Sequence, residues 1–200
     1  MLKLTKETLE QREKGIQRSL LPRTLRDAIK ICKWLNINYL WIDALCIVQD
    51  DLVEWNEEAP RMAEVYEGAY ITIAATSAAD CNDGCISPRE ASKEILGVHD
   101  CGKPFSVFVR PRLGHAALFF SNNDSEYPVF QRGWCFQERI LSRRVLHFTK
   151  KELIFECSEG LRCDCSRVLQ HGYGSRTKAL YTRMIQKDST AEFEDSEVSF

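Results

Sequence analysis

The chain has 200 residues, 44% of them hydrophobic, and a net charge of −2. That composition suits one domain with a sizeable core and a tail, and the charge calls for neither nucleic acid nor an anionic membrane as partner. No apolar run approaches the roughly 18–20 residues of a membrane helix, and Met1 to Glu7 lack the apolar core of a signal peptide, so a cytoplasmic protein is expected.

Residues 1–20 are polar and mostly charged and read as a helical or frayed lead-in. The first helix is expected over 22–35, with Pro22 at a first helical position, Leu25, Ala28, Ile29, Cys32 and Leu35 on one face, and Asn36 as the stop. The nearly unbroken apolar run Tyr39-Leu-Trp-Ile-Asp-Ala-Leu-Cys-Ile47 predicts a strand covered on both faces. Its single acid, Asp43, must lie near the strand end or find a partner, because a charge in the strand interior is costly.

After a polar turn at Gln49-Asp-Asp51, Trp55, Ala59, Met62, Val65, Tyr66 and Ala69 recur at helical spacing. Pro60 argues that this helix comes in two pieces or starts near it. Tyr70 to Ala75 (YITIAA) is a second apolar, β-branched strand. Helix, strand, helix, strand in that order implies crossover connections and a parallel sheet.

Residues 76–104 read as loop, Phe105 to Arg110 as an edge strand, and 112–131 show no clean period. A helix over 134–142 places Trp134, Glu138 and Leu141 on one side. Val145 to Phe148 and Leu153 to Phe155 predict an antiparallel hairpin. One amphipathic stretch near 176–187 and an acidic, disordered ending at 192–197 close the chain.

These residues carry a resemblance. Leu21-Pro-x-Thr-Leu-Arg-Asp-Ala28, Tyr39 to Ile47 with Gln49-Asp-Asp51, Arg61-Met62 with Tyr66 and Ala69, and Ile73-Ala-Ala75 resemble the fungal heterokaryon incompatibility (HET) domain. So do Gly84 with Pro88-Arg89, Arg132-Gly-Trp-Cys-Phe-Gln-Glu138 with Leu141-Ser142, and Phe155-Glu-Cys157. The resemblance places such a domain at 21–165, between the lead-in (1–20) and a polar, partly disordered tail (166–200). It implies an effector of fungal self/non-self recognition and programmed cell death. The family opens with a strand ending in a Ser-Tyr-x-Trp-Gly-like motif that this chain lacks, and usually continues well past this length. A fragment, or a chain whose first strand is lost, is therefore expected.

HET domains are in turn similar to Toll/interleukin-receptor (TIR) domains, whose fold is flavodoxin-like. The resemblance thus implies an α/β fold with a mostly parallel sheet flanked by helices, a long insertion at 76–131 and a C-terminal β-hairpin. Plant TIR domains carry Trp-Cys-Leu-x-Glu, whose Glu serves in NAD cleavage. Trp134-Cys135-Phe136-Gln137-Glu138 has the same spacing.

Breaking the ribose–nicotinamide bond builds positive charge on the sugar, which a fixed carboxylate in a desolvated pocket stabilises. Glu138 is the candidate catalytic residue, and a place in the first helical turns would favour its ionised form. The plainer alternative is that Glu138 caps its helix or pairs with Arg139, Arg143 or Arg144 while Trp134 fills the core. Trp134, Asp43 and Arg139 are the candidate NAD contacts: a ring to stack on, an acid for a ribose hydroxyl, a cation for phosphate. Asp43 equally suits a metal ligand or, as the favoured reading, an acceptor of backbone N–H groups from the following turn. NAD enters as substrate, and no resident cofactor is expected.

The nine cysteines are many for this length. Cys32, Cys46 and Cys135 lie in apolar patterns and read as small buried hydrophobes in a reducing compartment. Cys157, Cys163, Cys165 and His171 supply zinc-ligand types, but C-x5-C-x-C-x5-H is not the usual pair of C-x2-C units, and no metal is assigned. His147 reads as a core histidine. A non-enzymatic, self-associating interaction module, with residues 76–131 as contact surface, is the alternative function.

Overall fold

The computed structural model describes residues 2–88, 92–110, 127–165, 168–169 and 178–181. Its helices are α1 (Leu9–Glu13), α2 (Arg23–Trp34), α3 (Asp43–Cys46), α4 (Leu52–Gly68) and α5 (Gly133–Leu141), with a further helical turn at 178–181. The strands are β1 (Thr72–Ala74), β2 (Lys93–Val98), β3 (Pro104–Val109), β4 (Arg144–Phe148), β5 (Leu153–Cys157), β6 (Gly160–Cys163) and β7 (Val168–Leu169). Among the described residues, no helix is long and apolar enough to cross a membrane.

The architecture is mixed α/β. A five-stranded sheet runs β1-β4-β5-β6-β7, and β2 and β3 form a separate two-stranded ladder. The expected mostly parallel sheet is corrected here: β1 and β4 pair in parallel, while β4–β5, β5–β6 and β6–β7 are antiparallel. Connection length is the reason. Thr149–Glu152 and Ser158–Glu159 are turns too short for a crossover, so the strands they join must reverse.

The predicted strand over 39–47 is also corrected. Ile42 has extended dihedrals (φ −139°, ψ 115°), but residues 39–42 join no ladder and 43–46 form the short helix α3. Apolarity calls for burial; it does not supply a hydrogen-bonding neighbour. The turn buries Ala44, Ile47 and Val48, and leaves Cys46 exposed rather than in the core.

The lead-in is tied to this turn. Leu4 is buried, its N–H donates to Ala44 O (2.7 Å), and its carbonyl accepts from Gln49 N–H (2.9 Å). Lys6 pairs with Asp51 at 2.9 Å.

Helix α2 follows its apolar face, burying Ala28, Ile31 and Cys32. Asn36 adopts φ +56°, and Ile37 N–H returns to Cys32 O (2.8 Å), ending the helix as anticipated. Buried Asp27 also lies on α2. Its Oδ2 accepts from Cys85 N–H and Ile86 N–H (both 3.2 Å), and its Oδ1 meets Lys30 Nζ at 3.1 Å. This holds the 81–86 loop against the helix.

Helix α4 runs unbroken through Pro60, contrary to the expected break, with Asp51 Oδ1 capping Val53 N–H (3.0 Å) and Glu54 N–H (3.4 Å). Strand β2 lies where only loop was expected.

On β4, β5 and β6 the buried side chains alternate: Val145 and His147, then Ile154 and Glu156, then Leu161 and Cys163. Tyr127, Ile154, Leu161 and Cys163 form the apolar cluster on that face.

Candidate functional site

Three segments converge on Glu138. The extended residues 39–42 deliver Asp43 at the start of α3, helix α4 brings Tyr66, and α5 carries Cys135 and Glu138 on adjacent turns. Trp41 meets Tyr66 edge-on, ring centroids 5.7 Å apart, which braces the α4 side. The Tyr66 hydroxyl, the Cys135 thiol and the Arg132 guanidinium lie near enough to the Glu138 carboxylate to act on its charge.

Two anchors fix α5 in place. Ser142, fully buried, donates its hydroxyl to Glu138 O at 2.6 Å and meets Thr72 Oγ1 of β1 at 2.7 Å. Its N–H also donates to Glu138 O (3.1 Å), so the last turn of α5 is closed and pinned to the sheet. On the other side, Arg139 donates from Nε to Glu156 Oε2 (2.7 Å) and from Nη2 to Oε1 (3.0 Å), a two-pronged pair. Its guanidinium also lies 5.3 Å from the centre of the Phe130 ring. Glu156 is completely buried, and its Oε2 is 2.9 Å from His147 Nε2. His147 Nδ1 meets Thr76 Oγ1 at 3.0 Å, and Lys178 Nζ donates to Arg139 O at 3.0 Å. His147 is thus a satisfied core histidine whose two ring nitrogens face Thr76 and Glu156, not Cys135.

The electrostatics of the two acids are opposite. Desolvation, then the nearby Asp43 charge, push the Glu138 carboxyl above its ordinary range, against the weaker opposing influence of Tyr66, Arg132 and Cys135. The helix-dipole argument for an easily ionised Glu138 is therefore overturned. Glu138 is in the second turn of α5, where the dipole has faded, and burial next to another carboxylate outweighs it. Glu156, although desolvated, is brought down to about 2 by its bonds to His147 and Arg139.

Burial and the same carboxylates raise both Tyr66 and Cys135, so each stays protonated. A nucleophilic thiolate at Cys135 is disfavoured by the same physics.

Of the four residues singled out from sequence, the structure groups Asp43 with Glu138. Trp134, one turn ahead of Glu138 on α5, is 72% exposed rather than core, leaving its ring open for stacking. Arg139 points its fork to Glu156. Asp43 is exposed; its Oδ1 accepts from Ala44 N–H at 2.7 Å, in line with the backbone-acceptor reading. Tyr66 and Arg132 were missed as site residues. Both appear in motifs read as helix face or family pattern, and nothing in their spacing announces a carboxylate partner.

Chemically, the cluster is a poorly solvated carboxylate with a phenol, a thiol, a second carboxylate and a cation for neighbours. Such an arrangement can stabilise developing positive charge, and it holds its proton to higher pH than a free carboxyl does. A family model described as "Heterokaryon incompatibility protein (HET)" matches residues 3–138, ending on Glu138 itself. No curated protein and no solved structure matches the chain.

Proposed function

Because this chain belongs to the heterokaryon incompatibility family, we propose that it is an effector domain of fungal self/non-self recognition that triggers cell death by cleaving NAD. The observation that carries the catalytic reading is the convergence of Asp43, Tyr66, Arg132 and Cys135 on Glu138 from three separate segments. Ionised Glu138 stabilises the positive charge that builds on the ribose as nicotinamide leaves. Nicotinamide departs neutral, so no proton need be delivered to it, and water then takes the sugar. Tyr66 and Cys135 orient the carboxylate. Asp43 accepts a ribose hydroxyl through the oxygen not taken by Ala44, and Trp134 stacks on a ring of the substrate. Arg139, locked to Glu156, orients α5. The parallel β1–β4 pair, with α5 leading into β4, supports a TIR-like arrangement of these parts.

Purified protein at high concentration should release nicotinamide from NAD, and Asp43→Asn and Trp134→Ala should each slow release. Folded protein that leaves NAD intact would sink this reading.

A second reading, a self-associating interaction module, rests on the β2–β3 ladder. Ile95, Val107 and Val109 are exposed on one face of it and Leu96, Val98 and Phe108 on the other, apolar side chains that a partner would cover. Mass that falls on dilution, with no NAD loss, favours it. The two readings combine if assembly completes the active site.

A further inference from the structure

We propose that Glu152, Cys163 and Cys165 form a binding site for a thiophilic divalent cation of the zinc class. Strand alternation builds the site. Residues 152, 154 and 156 share the buried face at β5, and 161 and 163 share it on β6, where Cys163 pairs with Ile154. One carboxylate oxygen of Glu152 and the two sulfurs lie within 4.8 Å of one another. Cys157, on the alternate position of β5, faces away from this group, and His171 lies outside the described residues. The ligand set therefore differs from the one the cysteine spacing suggests: an acid from the β4–β5 turn takes the place of Cys157.

Both halves of the site are held before any ion arrives. The Thr149 hydroxyl donates to Glu152 O (2.7 Å) and accepts from Glu152 N–H (3.0 Å), fixing the turn that presents the carboxylate. Asp164, between the two cysteines, donates its N–H to Leu153 O (3.1 Å) and accepts from Leu153 N–H (3.3 Å). The C-x-C segment is thereby stitched to the residue next to Glu152.

Cys163 and Glu152 are buried, while Cys165 is partly open and gives the ion an entry path. Two sulfurs, one carboxylate oxygen and a low-dielectric surrounding suit zinc better than calcium or magnesium, which take oxygen alone. The sulfurs are 2.6 Å apart. Tetrahedral zinc needs about 3.7 Å between thiolates at its usual bond length, so binding turns the Cys165 side chain outward by about 1 Å. Each thiol loses its proton on binding. The ion would clamp the β4–β5 turn to the end of β6.

The test uses the full chain, expressed with zinc, kept reduced and desalted before elemental analysis. One zinc per chain is expected. Cys165→Ser and Glu152→Gln should each weaken zinc retention at least about tenfold, while Cys101→Ser, an exposed cysteine near the β2–β3 turn, should leave it unchanged. Cobalt added to metal-free protein should give a sulfur-to-metal charge-transfer band that Cys165→Ser weakens by about half or more and Cys157→Ser preserves. Should the Cys165 variant fail to fold, alkylation of the unmodified chain decides. Zinc must shield Cys163 and Cys165 from iodoacetamide, as located by peptide mass spectrometry. Absence of zinc from folded, reduced protein, equal retention in the Cys165 variant, or no shielding overturns the proposal.

Discussion

Replacing Glu156 with Gln tests how α5 is held. The carboxylate is fully buried, shared between Arg139 (2.7 and 3.0 Å) and His147 (2.9 Å), and held down to about 2. Gln keeps an acceptor for Arg139 but no charge, leaving a largely buried guanidinium without its counter-ion. Breaking a buried pair from one side costs about 3–5 kcal/mol. The lowering of Glu156 from 4.5 to about 2 gives a similar figure, about 3 kcal/mol. For a chain of this length that is a fall in Tm of about 10 °C.

The pH dependence has a fixed sign. A depressed carboxyl contributes stability above its unfolded pKa and loses it as pH falls through the folded one, so the contribution drains away between 4.5 and about 2. Burial lowers His147 as well, so its protonation on unfolding adds a loss of the same sign that starts from 6.5. Urea unfolding, followed by the fluorescence of the four tryptophans, should show the loss at pH 7 and a flatter acid slope for Glu156→Gln. A cost below about 1 kcal/mol, or an unchanged acid slope, would refute the account of this network.

Three further outcomes are expected. Gly84 adopts φ +85°, and a Cβ there would sit 2.7 Å from Asp27 Oδ2 and 2.8 Å from Arg23 Nε. Gly84→Ala should therefore cost about 1–3 kcal/mol by straining the loop and displacing Asp27 from Cys85 and Ile86; an unshifted thermal melt would contradict this. For catalysis, desolvation and Asp43 raise Glu138 above 4.5, so NAD cleavage should fall as pH drops through that raised value. Asp43→Asn removes the like charge and should move this acid limb to lower pH in a pH–rate profile, whereas an unmoved limb would separate the two acids. The stability sign is opposite to that of Glu156: a raised carboxyl favours the fold at low pH and loses that as pH rises through its folded pKa.

Local pattern was legible where an element carries its own partner. Helix α2, the β4–β5 hairpin and α5 follow from apolar spacing and turn residues, because their hydrogen bonds close within the element or with the next one. The apolar run 39–47 reads as a strand but is not one, because a buried strand is defined by its neighbours, which apolar side chains do not encode. Strand β2 escaped notice because Lys93 and Glu94 open it and its face is exposed; nothing in it alternates toward a core.

At the candidate site, Glu138 and Asp43 were visible as acids among aromatics. Tyr66 and Arg132 were not, since only the packing of α4 and α5 brings them to the carboxylate. The acid at 152, in turn, meets the cysteines only through the register of β5 and β6.

The most direct measurement is nicotinamide released from NAD by the purified chain and by Glu138→Gln, with circular dichroism matching the two folds. The account predicts release by the unmodified chain and a loss of about a hundredfold or more in the variant, the effect of removing one charge-stabilising group from an active site. Equal release by both proteins, or none by a folded chain at high concentration, would contradict it.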